Sequence, residues 1–200
     1  MYAKTVQYIL NRGIIMELSQ HETLWLQSEG AKMLKDLGVK NGDTIIDFGC
    51  GKGRYTIPLS QVVGTQACVY SIERNEDALT ILRERLPLFS MMDTVKILHF
   101  DNLTTQTTIA EKTIDAVFVF DVLQYIEDWD ALFSYFFRVI KPTGIIHVYP
   151  AAIPHPGEVD VQRLISTMEK VGFQYLKSTT WRMMHNVDMV NDVVYSFGVR

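Results

Sequence analysis

An α/β fold, with a doubly wound and mostly parallel sheet covered on both faces, is predicted by three observations. Five short runs are almost continuously apolar and rich in β-branched residues. Segments with helical spacing alternate with them, and cap or turn residues stand at the junctions. Strands without an apolar/polar alternation need cover on both sides, and intervening helices supply it.

The elements follow in order. Residues 1–19 are expected to form a helical segment that covers the site. Ser19 followed three residues later by Glu22 is a capping-box signature, and Leu26, Met33, Leu34 and Leu37 recur at helical spacing up to Gly38. A helix of about 17 residues fits that pattern. The turn Lys40-Asn41-Gly42-Asp43 leads to a strand at 44–48, then a glycine-rich loop and a second helix. A strand at 67–72 precedes Asn75, an N-cap followed by Glu76 and Asp77, with Ala78, Leu79, Leu82 and Leu86 as the apolar face.

A third strand, 95–100, enters a Thr-rich loop, and a fourth, 114–120, is the most hydrophobic run and should be central. Leu132, Tyr135, Phe136 and Val139 make the next helix amphipathic, and Lys141-Pro142-Thr143-Gly144 ends it before a strand at 145–149. Beyond Pro154 and Pro156, Val161, Leu164, Ile165 and Met168 mark a helix closed by Gly172. Two strands, about 173–180 and 192–199, flank a connection containing Met and Trp.

Composition narrows the function. Two hundred residues with 19 basic and 23 acidic side chains carry a net charge of −4, and residues 20–200 read as one domain. Cys50 and Cys68 are too few for a disulfide framework, and no Cys/His spacing suits zinc. A reduced, cytoplasmic chain is expected. No run reaches the roughly 18 apolar residues of a membrane span, and no basic stripe favours nucleic acid. The residues assign no oligomeric state.

Chemistry is expected where strands end, at the carboxyl edge of the sheet. The loop Asp47-Phe48-Gly49-Cys50-Gly51-Lys52-Gly53-Arg54 sets three glycines at alternate positions between strand and helix. A dinucleotide fingerprint needs its third glycine where Arg54 stands. Asp47 would repel a pyrophosphate but can accept hydrogen bonds from a cationic amine. The second strand ends in Glu73, suited to both hydroxyls of a ribose, and the third in Asp101-Asn102, suited to an exocyclic adenine amine.

The run "IIDFGCGKGR", Glu73, Asp101, "FVFDVLQYIEDW" and "VIKPTGIIHVYP", in that order, resembles the class I S-adenosylmethionine-dependent methyltransferases over about residues 20–199. The resemblance implies a seven-stranded sheet in the order 3-2-1-4-5-7-6 with the last strand antiparallel. It implies S-adenosylmethionine as methyl donor and S-adenosylhomocysteine as product. Asp47 and the backbone of Gly49, Cys50, Gly51 and Gly53 would hold the methionine moiety, and Glu73, with Arg74 beside it, the ribose. Asp101 and Asn102 would flank the adenine. Asp121, followed by Val122, would lie beside the methionine amine and the acceptor.

A proton acceptor is optional for such a transfer, because alignment alone carries much of the rate. Tyr125 and His155 are the candidate catalytic residues, and His21 is also well placed. His99 and His147 lie inside strands and read as structural. Cys50 lacks a partnering base and reads as a small spacer. Trp181, Met183, Met184 and Met189 could cover the pocket or form a hydrophobic sheet edge. Asp121-Val122-Leu123-Gln124 stands where DNA amino-methylating enzymes carry a Pro-Pro motif, and no Pro-Cys nucleophile is present. By elimination the acceptor is a small molecule. Two other readings stay open: a non-catalytic binding or partner subunit with this fold, and an NAD-dependent oxidoreductase.

Overall fold

A computed structural model describes residues 6–9, 15–100, 109–150 and 159–200, with side chains from Leu18 onward. Strands β1 (Val6–Ile9) and β2 (Ile15–Leu18) form an antiparallel pair. The helical expectation for residues 1–19 is thereby corrected at the described residues, Val6–Ile9 and Ile15–Leu18. Val6, Tyr8, Ile9 and Ile15 favour extended backbone, and Asn11 and Gly13 interrupt any helical period.

The helix that follows begins as α1 (Gln20–Leu24), passes through a π-helical turn at Trp25–Glu29 and ends as α2 (Gly30–Leu37). Ser19 caps it, its side chain accepting from the Glu22 N–H at 3.0 Å, and Gly38 closes it at φ +117°. The Glu22 carboxylate does not complete the capping box. It turns inward to two arginines.

The main sheet contains β3 (Ile45–Phe48), β4 (Val69–Glu73), β5 (Val95–His99), β6 (Ile114–Phe120), β7 (Ile140–Tyr149), β8 (Phe173–His185) and β9 (Asp188–Val199). Its order is β5-β4-β3-β6-β7-β9-β8. Counted from β3, this is 3-2-1-4-5-7-6. The strands from β5 to β7 are parallel, and β9 runs antiparallel to both neighbours. Helices α3 (Thr56–Val63) and α4 (Glu76–Arg85) join α1 and α2 in one apolar layer, around Trp25, Leu34, Ile57 and Leu82. Helices α5 (Trp129–Val139) and α6 (Val161–Val171) cover the other face through Phe133, Phe136, Leu164 and Met168. Alternation along β3 sends Ile45 to the first layer and Ile46 and Phe48 to the second.

Two strand limits differ from the sequence expectation. The Lys141-Pro142-Thr143-Gly144 segment lies inside β7, with an irregular register against β6 between Ile114 and Ala116. The closing strands are also longer than expected, and Trp181, Met183, Met184 and Met189 belong to a continuous hairpin rather than a connection. Cross-strand pairing runs to His185↔Asp188 around a turn in which Asn186 takes φ +52°. Asparagine tolerates that left-handed backbone. Met183 and Met184 are buried in the core, which makes this stretch a packed sheet edge. No helix among the described residues is long and apolar enough to cross a membrane.

Candidate functional site

The parallel strands end on one edge, and a cavity of about 550 Å³ opens there between the loops that follow β3, β4 and β6. Gly49, Gly51, Glu73, Asn75, Asp121 and Tyr125 are among its lining residues. Phe48 and Phe100 meet edge to face at 5.2 Å and form part of an apolar wall.

The glycine loop is fastened from below. Gly49 and Cys50 both donate their N–H to the Ile72 carbonyl, at 2.8 and 3.1 Å, tying the loop to the end of β4. Gly49, Gly51 and Gly53 all have positive φ. At Gly49 an added Cβ would meet Val122 Cγ2 at 2.5 Å, so loop and β6 close up there. Gly51 differs: it lines the cavity at φ +52°, and nothing stands within 4 Å of where its Cβ would be. That gap is where a ligand can approach the main chain.

Glu73 reaches back over this loop. Its Oε2 accepts the Gly51 N–H at 3.0 Å, and its Oε1 accepts those of Arg74 and Asn75 at 2.8 and 2.9 Å. Three backbone donors fix the carboxylate at the cavity wall, with acceptor capacity remaining for a diol. Arg74 also lines the cavity, and its carbonyl bonds to His99 Nε2 at 3.0 Å.

Asp47 lies beneath the loop. It is 2% exposed, and its Oδ2 accepts the Thr56 hydroxyl at 2.6 Å while Ser71 donates to Thr56 at 3.1 Å. Burial pushes its ionisation up to about 7, and Glu73 nearby adds to the rise against the opposing Thr56 hydrogen bond. Burial likewise raises the Cys50 thiol, with Asp47 and Glu73 reinforcing it. Burial thus favours the thiol form of Cys50.

Asp121 follows β6 with φ +53°. Its N–H donates to the Tyr149 carbonyl at 2.8 Å, and its Oδ1 accepts from Gln124 Nε2 at 2.9 Å. Asp121 and Val122 both line the cavity, as does Tyr125, which stands 56% exposed at the mouth. Asp101, Asn102 and His155 lie outside the described residues. His21 points away to Asp188, 3.5 Å off on the hairpin. His147 is buried against Ser196 at 3.0 Å, and burial lowers its ionisation to about 3.

Sequence reasoning missed the contribution of the hairpin turn. Asn186 lines the cavity, and the buried His185 places Nδ1 3.3 Å from Asp121 Oδ2. It also missed the support under the glycine loop. Glu22 lies 3.1 Å from Arg85 Nη1 and 3.4 Å from Arg54 Nε, Arg85 donates to the Lys52 carbonyl at 3.1 Å, and Trp25 Nε1 donates to the Arg54 carbonyl at 2.8 Å. The unused signal was Glu22 itself, an acid at an inward position of an amphipathic helix.

Comparison with known proteins identifies the family and the fold. A family model described as a methyltransferase domain matches residues 39–186. A probable cobalt-precorrin-6B C(15)-methyltransferase (decarboxylating) of Saccharolobus solfataricus is 28% identical over 149 residues, 74% of this chain and 70% of that protein. A demethylmenaquinone methyltransferase of Staphylococcus aureus is 29% identical over 132 residues, 66% of this chain, and the match spans 51% of that relative's length. The crystal structure of a SAM-dependent methyltransferase from Aquifex aeolicus shares the fold, with a TM-score of 0.70 at 21% identity, covering 88% of this chain and 93% of that one.

Proposed function

Because the chain belongs to the methyltransferase-domain family, we propose that its cavity binds S-adenosylmethionine and that the chain methylates a small-molecule acceptor entering beside Asp121 and Tyr125. One observation carries the reading: the open face of Gly51 shares one cavity with a carboxylate braced by three backbone amides, Glu73, and a second carboxylate, Asp121. A nucleoside with a cationic amino-acid tail is complementary to that set.

In this reading Glu73 accepts from the ribose hydroxyls, with its orientation already fixed. Phe100, Ile72 and Ala78 provide apolar surface for the adenine, and Asp101 and Asn102 serve its amine. Asp121 lies beside both the cationic ammonium and the acceptor, and a bound cation would favour the charged form of Asp47 beneath the loop. When bound, the donor supplies an activated methyl group on a positively charged sulfur. The chain holds the acceptor in line with it and narrows access to water, and proximity accounts for most of the rate. Small-molecule acceptors suit a cavity of this size, and the names of the two relatives point to acceptors of that class.

Calorimetry with S-adenosylmethionine and S-adenosylhomocysteine tests the reading. Micromolar binding of either is expected, and absence of binding by both at high micromolar concentration would overturn it.

A further inference from the structure

Beside Asp121 the cavity wall contains a polar network whose other members the family resemblance does not assign. His185, at the tip of β8, has a side chain only 2% exposed. Its Nε2 lies 2.9 Å from Asn186 Nδ2, an atom that only donates. With the Asn186 amide in this orientation, Nε2 accepts and the ring proton sits on Nδ1. That nitrogen faces two oxygens, Asp121 Oδ2 at 3.3 Å and the Tyr149 hydroxyl at 3.2 Å. Tyr149 is hydrogen-bonded in turn to the Asp192 side chain, so the Tyr149 oxygen and Asp121 Oδ2 share the single Nδ1 proton of His185.

The network converges on a single carboxylate. Gln124 holds Oδ1 of Asp121, His185 stands at Oδ2, and the Asp121 N–H is anchored on β7. Purely structural pairing would leave this carboxylate enclosed by protein, yet its side chain is 31% exposed and lines the cavity beside Asn186. Aspartate, like asparagine, is one of the few non-glycine residues that adopt the left-handed backbone seen at Asp121, and here its side chain lines the cavity.

We propose that His185 is a positioning residue that holds Asp121 as proton acceptor, so that the methyl acceptor is a molecule presenting an O–H or N–H group. The proposal rests on the cofactor reading above. In the step, the acceptor's oxygen or nitrogen attacks the methyl carbon, and the new bond forms as the carbon–sulfur bond breaks with its electron pair kept by sulfur. The O–H or N–H proton passes to the Asp121 carboxylate, which later releases it to water at the cavity mouth. Charge balances: a cationic donor and a carboxylate become a neutral thioether and a carboxylic acid.

Two probes and one spectrum test it. Phenol must lose a proton to be methylated, whereas thiophenol is largely ionised at neutral pH. His185→Ala is expected to lower the phenol-to-thiophenol rate ratio about tenfold or more through kcat rather than KM. His185→Asn, which keeps an N–H near the Nδ1 position, should recover part of that loss. An unchanged ratio overturns the proposal. Long-range proton–nitrogen NMR of the wild-type imidazoles should show His185 as the Nδ1–H tautomer, with that preference weakened in Asp121→Asn. An Nε2–H tautomer overturns the proposal, and the tautomer decides the matter where wild type methylates neither probe. Absence of S-adenosylhomocysteine binding by wild type would remove the cofactor reading and this proposal together. Intact binding with an unmoved ratio would remove this proposal alone.

Discussion

Asp47→Asn should change how stability depends on pH. The native state holds the wild-type carboxyl at about 7 against an ordinary 3.8, chiefly because burial disfavours the charged form. A carboxyl raised in the native state is bound there by a proton that the unfolded chain has already lost. Its contribution to stability is thus fully present below about pH 4 and is lost as pH rises through 7. Three pH units at 1.36 kcal/mol each give a loss of about 4 kcal/mol across that window. Asparagine keeps the shape and can still accept from Thr56, but its amide hydrogens need new partners, a pH-independent cost of about 1–3 kcal/mol. The variant should therefore be the less stable protein at pH 4.5 and should approach or overtake wild type by pH 8.5. Urea unfolding at four pH values measures this difference. Parallel stability curves would refute the assignment of a buried, destabilised carboxylate at this position.

Three further substitutions separate the roles of the site. Gly51→Ala should fold with a loss of about 1 kcal/mol for its left-handed backbone, while S-adenosylhomocysteine affinity by calorimetry falls at least tenfold because the new methyl group enters the cavity; unchanged affinity would place the ligand elsewhere. Glu73→Ala should weaken the same binding by at least about 1 kcal/mol, the scale of a lost charge-assisted hydrogen bond. A Glu73→Gln control will distinguish lost ligand contact from loosened loop, and wild-type affinity in both would remove Glu73 from the site. Glu22→Gln leaves the buried Arg85 guanidinium without its carboxylate and should cost about 3–5 kcal/mol in chemical denaturation; a loss below about 1 kcal/mol would mean that the pair is not what holds α1 to the loop.

How much was legible depended on how local the cause was. Caps and stops act within four residues, so Ser19, Gly38, Asn75 and Gly172 marked their helix ends in advance. The glycine loop and Glu73 were readable because each follows its own strand. The hairpin end was not readable, since Asn186 reaches the cavity only after β9 has paired with β7 and carried β8 to the sheet edge. The N-terminal pair misled for a different reason: β-branched residues and a polar break were outweighed by an expected covering role that no residue there demands. Asp47 was recognised by position, yet its burial beneath Thr56 depends on the packing of α3.

The two ends of the cavity are held by different means, and this bears on what can change without loss of the fold. Around Gly51 and Glu73 the geometry is set by hydrogen bonds from the backbone of the loop and of the residues after β4, to the Ile72 carbonyl and the Glu73 carboxylate. Around Asp121 the geometry is set by the neighbouring Gln124 side chain, by the Tyr149 backbone carbonyl on β7 and by the His185 side chain from the hairpin. Side-chain networks can be exchanged one residue at a time, and their couplings fall off with distance. The donor end and the acceptor end should then behave as separable units. Double-mutant cycles between Glu73 and His185 should give additive effects on unfolding free energy within about 0.5 kcal/mol, while cycles between Asp121 and His185 should not. Additivity in the second pair would show that the imidazole and the carboxylate, although 3.3 Å apart, do not act on one another.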